Sequence, residues 1–226
     1  MQLYIGNKNY SSWSLRPWLL MTQAEIPFQE IKLRLSSNED SDFKRTLLRL
    51  APTGRVPLLI DDGFAVWDTL AIAEYLAEKF PAHRIWPAST PERARARCLC
   101  AEMHSGFSAL REHFPMNIEA VLPEIGARVL REQPGVGVDL ARIEAMWKEQ
   151  LRVSGGPFLF GEFSAADAFY APVCARLKTY LPTLAAESQT YIEQIFKLPA
   201  MRSWCAAALA EHDFIAEDEP YRRAGT

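Results

Sequence analysis

The spacing of apolar residues in the first eighty positions alternates between two periods. Short apolar or alternating runs, typical of strands, are separated by stretches in which apolar residues recur every three or four positions, as on one face of a helix. The pattern predicts strands over 2–5, 28–33, 58–60 and 64–67, and helices over 14–24, 42–50 and 70–80. Strands that alternate with helices in this way predict a mixed α/β domain.

The pattern changes after residue 80. Prolines at positions 81, 87 and 91 predict a rigid connector over 81–90. Beyond it the apolar spacing is almost entirely helical, and helices are predicted over 91–114, 140–153, 164–180, 188–196 and 200–211. Breaks between them are predicted at 115–123 and at the Pro-Gly-Val-Gly run 134–137. We therefore expect an α/β domain over 1–80 and an all-helical domain over 91–226.

Composition excludes several classes of function. The 226 residues carry 25 lysines and arginines against 28 acidic residues, and the net charge of −3 argues against a nucleic-acid surface or a polybasic membrane patch. No stretch has the pattern of a signal peptide or of a membrane-spanning helix. The cysteines lack metal-ligand spacing, so we expect reduced thiols, no metal and a cytoplasmic protein. They are Cys98, Cys100, Cys174 and Cys205.

The chemistry of the chain is predicted to lie at 10–17, where the first strand gives way to the first helix. Ser11, Ser12 and Ser14 fall at this junction, and Pro17 suits a first helical turn. Hydroxyls and free N–H groups at a helix start attract negative charge, including a thiolate. A simpler interpretation of this stretch alone is that the serines only cap the helix.

Two further segments combine turn residues with polar groups at the start of an element. Gly54, Arg55, Val56 and Pro57 lead into the third strand, and Asp68-Thr69 opens the helix that follows the hairpin. Taken alone, the first segment predicts a trans proline that begins a strand. The second, taken alone, predicts an ordinary helix cap.

The order of these elements resembles the cytosolic glutathione transferases. An N-terminal strand, Ser-Ser-Trp-Ser-Leu-Arg at 11–16, Gly-Arg-Val-Pro at 54–57, the Asp68-Thr69 helix start and a helical second half follow one another as in that family. The serine loop is most similar to the zeta class pattern Ser-Ser-Cys-x-x-Arg, although Trp13 replaces the cysteine. The resemblance implies a thioredoxin-like first domain, an all-helical second domain and glutathione as co-substrate.

The resemblance also implies a role for the serines. Ser11 would donate a hydrogen bond to the glutathione thiolate, and Ser12 is the alternative donor. Neither serine is a nucleophile, because the segment offers no His and Asp partners. A glutathione thiol with a pKa of about 8.5 must be stabilised as the anion if it is to react at neutral pH.

Further residues are assigned to the tripeptide by the same resemblance. A cis Val56–Pro57 bond would let Val56 pair with the cysteinyl backbone, in the manner of an added strand. Thr69 would bind the γ-glutamyl carboxylate at a helix start, and Asp68 the ammonium group. Arg55 would reach the glycyl carboxylate. The remaining residues assigned to the glutathione site are Trp13 and Arg16, the latter with a structural ion pair or clamp as its alternative.

In the helical half, the resemblance places a second-substrate pocket beside the thiol. His104, Phe107 and Arg111 share nearly one face of the predicted helix over 91–114. Phe107 and Trp13 would form the apolar wall, with His104 and Arg111 as polar groups. The alternative is that Phe107 belongs to a core stripe and that His104 is structural. The Ser164–Asp167 pair predicts a capping box, which we interpret as structural.

The function that follows is transfer of the glutathione thiol to a small electrophile. Two alternatives stay open: a glutathione-dependent cis–trans isomerase of the maleylacetoacetate type, and a non-catalytic scaffold with the same fold. A glutathione-dependent reductase is disfavoured, because Trp13 and serines stand where a redox cysteine would be needed. We expect a homodimer without nucleic-acid or membrane partners.

Overall fold

The computed structural model describes residues 1–222 and begins with a four-stranded mixed sheet. The strands are β1 (Gln2–Ile5), β2 (Gln29–Lys32), β3 (Leu58–Asp61) and β4 (Phe64–Trp67), in the order β2-β1-β3-β4. β1 pairs parallel with β2 and antiparallel with β3, with Leu3 opposite Leu59, and β4 returns antiparallel beside β3. The predicted strands are confirmed, although β2 is a largely exposed edge rather than a half-buried strand.

Helices cover this sheet and make up most of the remaining residues up to 222. Those interspersed with the strands are α1 (Ser12–Gln23), α2 (Asp42–Leu50) and α3 (Thr69–Lys79). The later ones are α4 (Thr90–Ser105), α5 (Ser108–His113), α6 (Pro123–Glu132), α7 (Pro134–Ser154), α8 (Ala165–Tyr180), α9 (Ala186–Lys197) and α10 (Pro199–Leu209). The expected fold class, a mixed α/β part followed by an all-helical part, is confirmed. The exact domain boundaries at 80 and 91 stay a prediction.

The single helix predicted over 91–114 is wrong, because the chain breaks at Gly106 and Phe107. Gly106 is extended and Phe107 has a φ of 54°. The next helix, α5, is stabilised from outside the segment, since the Leu110 N–H donates to an Asp139 carboxylate oxygen of α7 at 2.9 Å. His104, Phe107 and Arg111 therefore do not lie on one continuous helix.

The break predicted at 134–137 is also wrong, because these residues form the first turn of α7. Pro134 occupies the first helical position, where its missing N–H costs nothing. Gly135 fits a close approach to α5, since a Cβ there would lie 3.1 Å from the Ala109 Cβ. Proline and glycine, which usually indicate a loop, here begin a helix at a close helix–helix contact.

Helix α8 is the most deeply buried element, and it packs against α1 and α4. Its predicted capping box is confirmed: the Asp167 carboxylate accepts from the Ser164 N–H at 2.9 Å and from the Leu159 N–H at 3.0 Å. The Tyr191 hydroxyl also donates to Asp167 at 3.0 Å. Complete burial raises the pKa of Asp167 to about 6. The carboxylate therefore ties α8 to α9 and to the preceding turn.

The segment after α10 returns to the start of the chain. Carboxylate oxygens of Glu211 accept from the backbone N–H groups of Lys8 and Asn9, and Asp213 accepts from the Asn7 side-chain amide at 3.0 Å. The Tyr10 hydroxyl donates to Glu219. These bonds hold the loop between β1 and α1, and this loop ends at Ser11.

Within residues 1–222, none of the helices combines the length and the apolar character needed to cross a bilayer.

Replacing Asp167 with alanine is expected to lower the free energy of unfolding by about 3 kcal/mol, because two backbone N–H groups and two buried hydroxyls lose their acceptor. Chemical denaturation at pH 7 measures the loss. Asp42→Ala is the matched control, since its carboxylate also lies in the first turn of a helix but is 97% exposed. The control should cost less than about 1 kcal/mol. Equal losses for the two variants would contradict the structural role of Asp167.

Candidate functional site

The serines lie at the start of α1, directly beyond the end of β1. Ser11 occupies the N-cap position, but its side chain accepts no backbone N–H of the helix. Its hydroxyl instead donates to the Ser14 Oγ at 2.7 Å, and the same Ser14 Oγ accepts from the Gly6 N–H at 3.1 Å. The simple capping interpretation of Ser11 therefore does not describe its hydrogen bonding.

Ser12 has a different partner, which comes from the helical half of the chain. The Arg176 guanidinium on α8 donates from Nη2 to the Ser12 Oγ at 3.0 Å and from Nη1 to the Phe114 carbonyl. Arg176 is 5% exposed. Burial lowers its pKa to about 10, so that the side chain remains a cation at neutral pH. The helix start that carries the serines therefore faces a buried positive charge.

A cavity of about 410 Å³ opens at this helix start. It brings together six residues predicted for the site, which are Ser11, Ser12, Trp13, Arg55, Val56 and Arg111. Sequence reasoning missed the other lining residues, among them Lys44, Met116, Arg176 and Asp218. Four of the lining side chains are cationic and one is a carboxylate, so the cavity suits an anion.

The segment before β3 reaches the cavity through Val56. The Val56–Pro57 peptide bond is cis. The family resemblance implies the cis form, whereas the segment taken alone predicts a trans bond. Val56 lines the cavity next to Gly54 and Arg55, whereas Pro57 is buried behind them. Gly54, Arg55 and Val56 are therefore the part of this segment that is available to a bound peptide.

Arg16 lies beneath the cavity floor and is 2% exposed. Its guanidinium stacks on the Trp13 ring at 4.1 Å and lies 5.0 Å from the Phe169 ring. One guanidinium nitrogen donates to the Thr69 hydroxyl at 3.5 Å. Burial, followed by repulsion from Arg176, lowers the pKa of Arg16 to about 9. Arg16 therefore links the serine helix to the start of α3.

Asp68 caps α3 and also faces α4. One carboxylate oxygen accepts from the Leu70 N–H at 2.8 Å, and the other lies 3.2 Å from the His104 Nε2. The carboxylate is still 42% exposed. Asp68 therefore forms the ordinary helix cap that the segment alone predicts. Its second carboxylate oxygen faces His104, and the side chain remains partly accessible to solvent.

The three residues predicted for a second-substrate pocket are separated by the helix break. The His104 ring packs edge-on against Trp13 with centroids 5.1 Å apart. Arg111 lines the cavity, and its guanidinium lies 5.7 Å from the Trp13 ring. Phe107 is buried in the main hydrophobic core. Arg111 and His104 therefore both lie next to the Trp13 indole, and Arg111 donates to the His104 carbonyl at 3.3 Å, while Phe107 belongs to the core.

Arg176 is the most informative of the missed residues. It is the one arginine in the otherwise largely apolar run 165–177, and a charge inside a buried helix is rare unless it has a partner or a function. That signal was available in the sequence. Its contact with Ser12 was not, because the two residues are 164 positions apart.

A larger cavity of about 610 Å³ lies beside the first and shares Asp218 with it. It is formed by the loop before α6 and the segment after α10, and none of the predicted site residues lines it. No group of three or more His, Cys, Asp or Glu side chains suited to a metal ion occurs in the part of the chain that is described.

Two curated relatives illustrate the similarity of this chain to known proteins. It is 26% identical over 209 residues to glutathione S-transferase GstB of Escherichia coli, covering 88% of this chain and 95% of that protein. A stretch of 74 residues is 38% identical to dichloromethane dehalogenase of Methylophilus leisingeri, covering 32% of this chain and 27% of that enzyme.

Solved structures share the fold. A glutathione transferase homologue from Burkholderia with bound glutathione superposes with a TM-score of 0.69 at 22% identity, covering 93% of this chain and 98% of that one. A bacterial zeta class maleyl pyruvate isomerase superposes with a TM-score of 0.68 at 21% identity, covering 95% and 100%.

Two family models match consecutive parts of the chain. The model for the glutathione S-transferase N-terminal domain matches residues 10–79, which include the serine helix and Asp68. The model for the C-terminal domain matches residues 92–207, which include Arg111 and Arg176 and make up more than half of the chain. The chain belongs to the glutathione S-transferase family.

Proposed function

We propose that this glutathione transferase binds glutathione in the cavity at the start of α1 and adds its thiolate to a small electrophile. One observation carries the proposal: two serines, Val56 and an excess of cationic residues converge on one cavity of about 410 Å³. The family match supplies glutathione as the ligand class.

The cavity suits the charge of this ligand. Glutathione carries two carboxylates and one ammonium group at neutral pH, and it gains a further negative charge when the thiol ionises. Lys44, Arg55, Arg111 and Arg176 line the cavity against Asp218 alone. A hydroxyl donor, a helix N-terminus and nearby cations together favour the thiolate and lower the thiol pKa by about one to two units.

The tripeptide is assigned to Arg55 and Val56 of the cavity lining and to Asp68 and Thr69 at the start of α3, which lie outside that lining. Val56 would pair with the cysteinyl backbone just before the start of β3, and Arg55, which is exposed at the rim, would meet the glycyl carboxylate. The exposed oxygen of Asp68 would take the ammonium group. Thr69 would offer its backbone N–H and its hydroxyl to the γ-glutamyl carboxylate, since a hydroxyl that accepts from Arg16 keeps its own proton to donate.

The chemistry proposed is nucleophilic substitution or addition at the electrophile. The thiolate donates an electron pair to carbon, a C–S bond forms, and a leaving group departs with its bonding pair or an activated alkene takes up a proton. The isomerase alternative begins with the same addition and ends with elimination of glutathione after bond rotation. The cavity favours neither outcome, and a cis-alkene in the substrate panel separates them.

Homodimerisation and a cytoplasmic location belong to the same proposal. The edge strand β4 presents Phe64 and Trp67, which are 62% and 41% exposed, and exposed apolar side chains on an edge strand favour a partner. The four cysteines are free thiols, which suits a reducing compartment.

Removal of the hydroxyl that holds the thiolate is expected to lower kcat/KM near pH 6.5 about tenfold, because the pKa of the bound thiol rises by about one unit. Ser11→Ala and Ser12→Ala should be assayed separately against aryl halides, peroxides and a maleyl-type cis-alkene. Ser105→Ala is the control, because this exposed α4 hydroxyl only donates to the Ala101 carbonyl. Full activity in both single variants would contradict a serine-held thiolate.

Neutralising Asp68 is expected to weaken glutathione binding about tenfold, because an ion pair with the ammonium group is lost. Asp68→Asn retains an oxygen that can cap the Leu70 N–H, so α3 should remain intact. Calorimetry on wild type and variant measures the difference. A glutathione analogue without the ammonium group should bind both proteins equally, and an undiminished difference with that analogue would contradict the assigned contact.

The native mass should be twice the 25.6 kDa of the chain. Light scattering on the eluting protein measures it. Phe64→Glu is expected to shift the mass toward the monomer, because a charge on an apolar interface is costly to bury. Val153→Glu is the control, since Val153 is equally exposed, at 63%, but lies at the end of α7. A monomeric wild type would contradict the homodimer.

A further inference from the structure

The environment of Ser12 differs from that of Ser11 in one respect. Ser12 accepts a hydrogen bond from a buried cation, whereas Ser11 donates to a neighbouring hydroxyl. We propose that Ser12 is the hydroxyl that holds the glutathione thiolate, and that Arg176 is its positioning residue, which turns the Ser12 proton toward the cavity. This inference rests on the proposed function and assigns the hydroxyl that it leaves open.

The hydrogen-bond inventory of a serine hydroxyl supplies the first step. A hydroxyl has one proton to donate and two lone pairs that accept. The Arg176 Nη2 occupies a lone pair of the Ser12 Oγ at 3.0 Å, and a guanidinium has no acceptor to offer in return. The Ser12 O–H must therefore point away from Arg176. Among residues 1–222 it has no hydrogen-bond acceptor, and Ser12 lines the cavity.

The second step is the different position of Ser11. Its hydroxyl lies 2.7 Å from the Ser14 Oγ and donates to it. Ser14 is completely buried, and its Oγ also accepts from the Gly6 N–H, which joins the pair to the end of β1. The Ser11 hydroxyl thus serves the connection between β1 and α1.

Charge supplies the third step. Within the described part of the chain, no carboxylate pairs with Arg176, whose other hydrogen bond goes to the uncharged Phe114 carbonyl. A buried cation without a counter-ion, beside a cavity, favours an anion there. A thiolate that accepts from Ser12 would be that anion, and the Ser12 hydroxyl would be the better donor because a guanidinium polarises it.

A merely structural role for Arg176, in holding Phe114 and α8, predicts different behaviour. Loss of such a role would lower the thermal midpoint and the amount of folded enzyme but would leave the pKa of the bound thiol unchanged. The proposed role predicts a change in that pKa. The ultraviolet absorbance of the thiolate, titrated with pH in the enzyme–glutathione complex, distinguishes the two.

The experiment compares the bound thiol pKa and the pH profile of kcat/KM in four variants. Ser12→Ala and Arg176→Gln are expected to raise the pKa by about one unit or more, so that kcat/KM near pH 6.5 falls about tenfold and recovers at high pH. Arg176→Lys keeps the charge and should recover part of the shift. Ser11→Ala should leave the pKa close to that of wild type. Arg142→Gln is the control for loss of an arginine, since Arg142 pairs with Glu102 on the outer surface.

The double variant Ser12→Ala/Arg176→Gln completes the design. If Arg176 acts through Ser12, the double variant should shift the thiol pKa little more than Ser12→Ala does. A raised thiol pKa in Ser11→Ala together with an unchanged one in Ser12→Ala and in a folded Arg176→Gln would overturn the proposal. If Arg176→Gln fails to fold, Ser12→Ala and Arg176→Lys still decide it. Absence of glutathione binding by wild type in calorimetry would instead overturn the proposed function itself.

Discussion

The packing of α8 against α1 is the contact on which the rest of the site depends. Nearly every residue of α8 is buried, and one of them is the charged Arg176. A cation in such a position must find hydrogen-bond partners, because an unsolvated charge costs several kcal/mol. The partners available are the Phe114 carbonyl and the Ser12 hydroxyl. The hydrophobic contact between the two halves of the chain and the polar arrangement at the serines are therefore one structure.

Positive charge accumulates around this contact without equal compensation. Arg16, Arg111 and Arg176 lie close enough for repulsion from Arg176 and Arg111 to add to burial in lowering the pKa of Arg16. The Trp13 ring covers the Arg16 guanidinium at 4.1 Å and offers its π face in place of a counter-ion. Repulsion among these arginines lowers the stability of the fold, and a bound anion would reduce that repulsion. Binding of glutathione is therefore expected to stabilise the fold by more than its contacts with the rim alone.

The sequence predicted what depends on local periodicity and missed what depends on contacts between distant segments. The α/β order over 1–80 and the positions of Ser11, Ser12 and Asp68 follow from neighbours along the chain. The break at Phe107 does not, because α5 begins where Asp139 of another helix accepts the Leu110 N–H. The sequence predicts a loop at Pro134 instead of a helix start, because it does not show the close contact of Gly135 with Ala109 of α5. Arg176 is missed for the same reason, because its hydrogen bond to Ser12 joins two segments that are far apart along the chain.

Trp13 shows how a departure from a motif can be explained by its surroundings. The zeta class pattern has cysteine at this position, and a small thiol there could not cover a guanidinium. In this chain the indole stacks on Arg16 and meets the His104 ring edge-on at 5.1 Å, and His104 faces Asp68. The aromatic ring therefore connects the serine helix, α3 and α4 at the point where the ammonium end of glutathione is assigned. A thiolate that acts as nucleophile needs a donor and a nearby positive charge, and in our proposal Ser12 and Arg176 supply both without a cysteine. Tryptophan at position 13 therefore leaves the loop without a redox group, and its ring holds the Arg16 guanidinium in place.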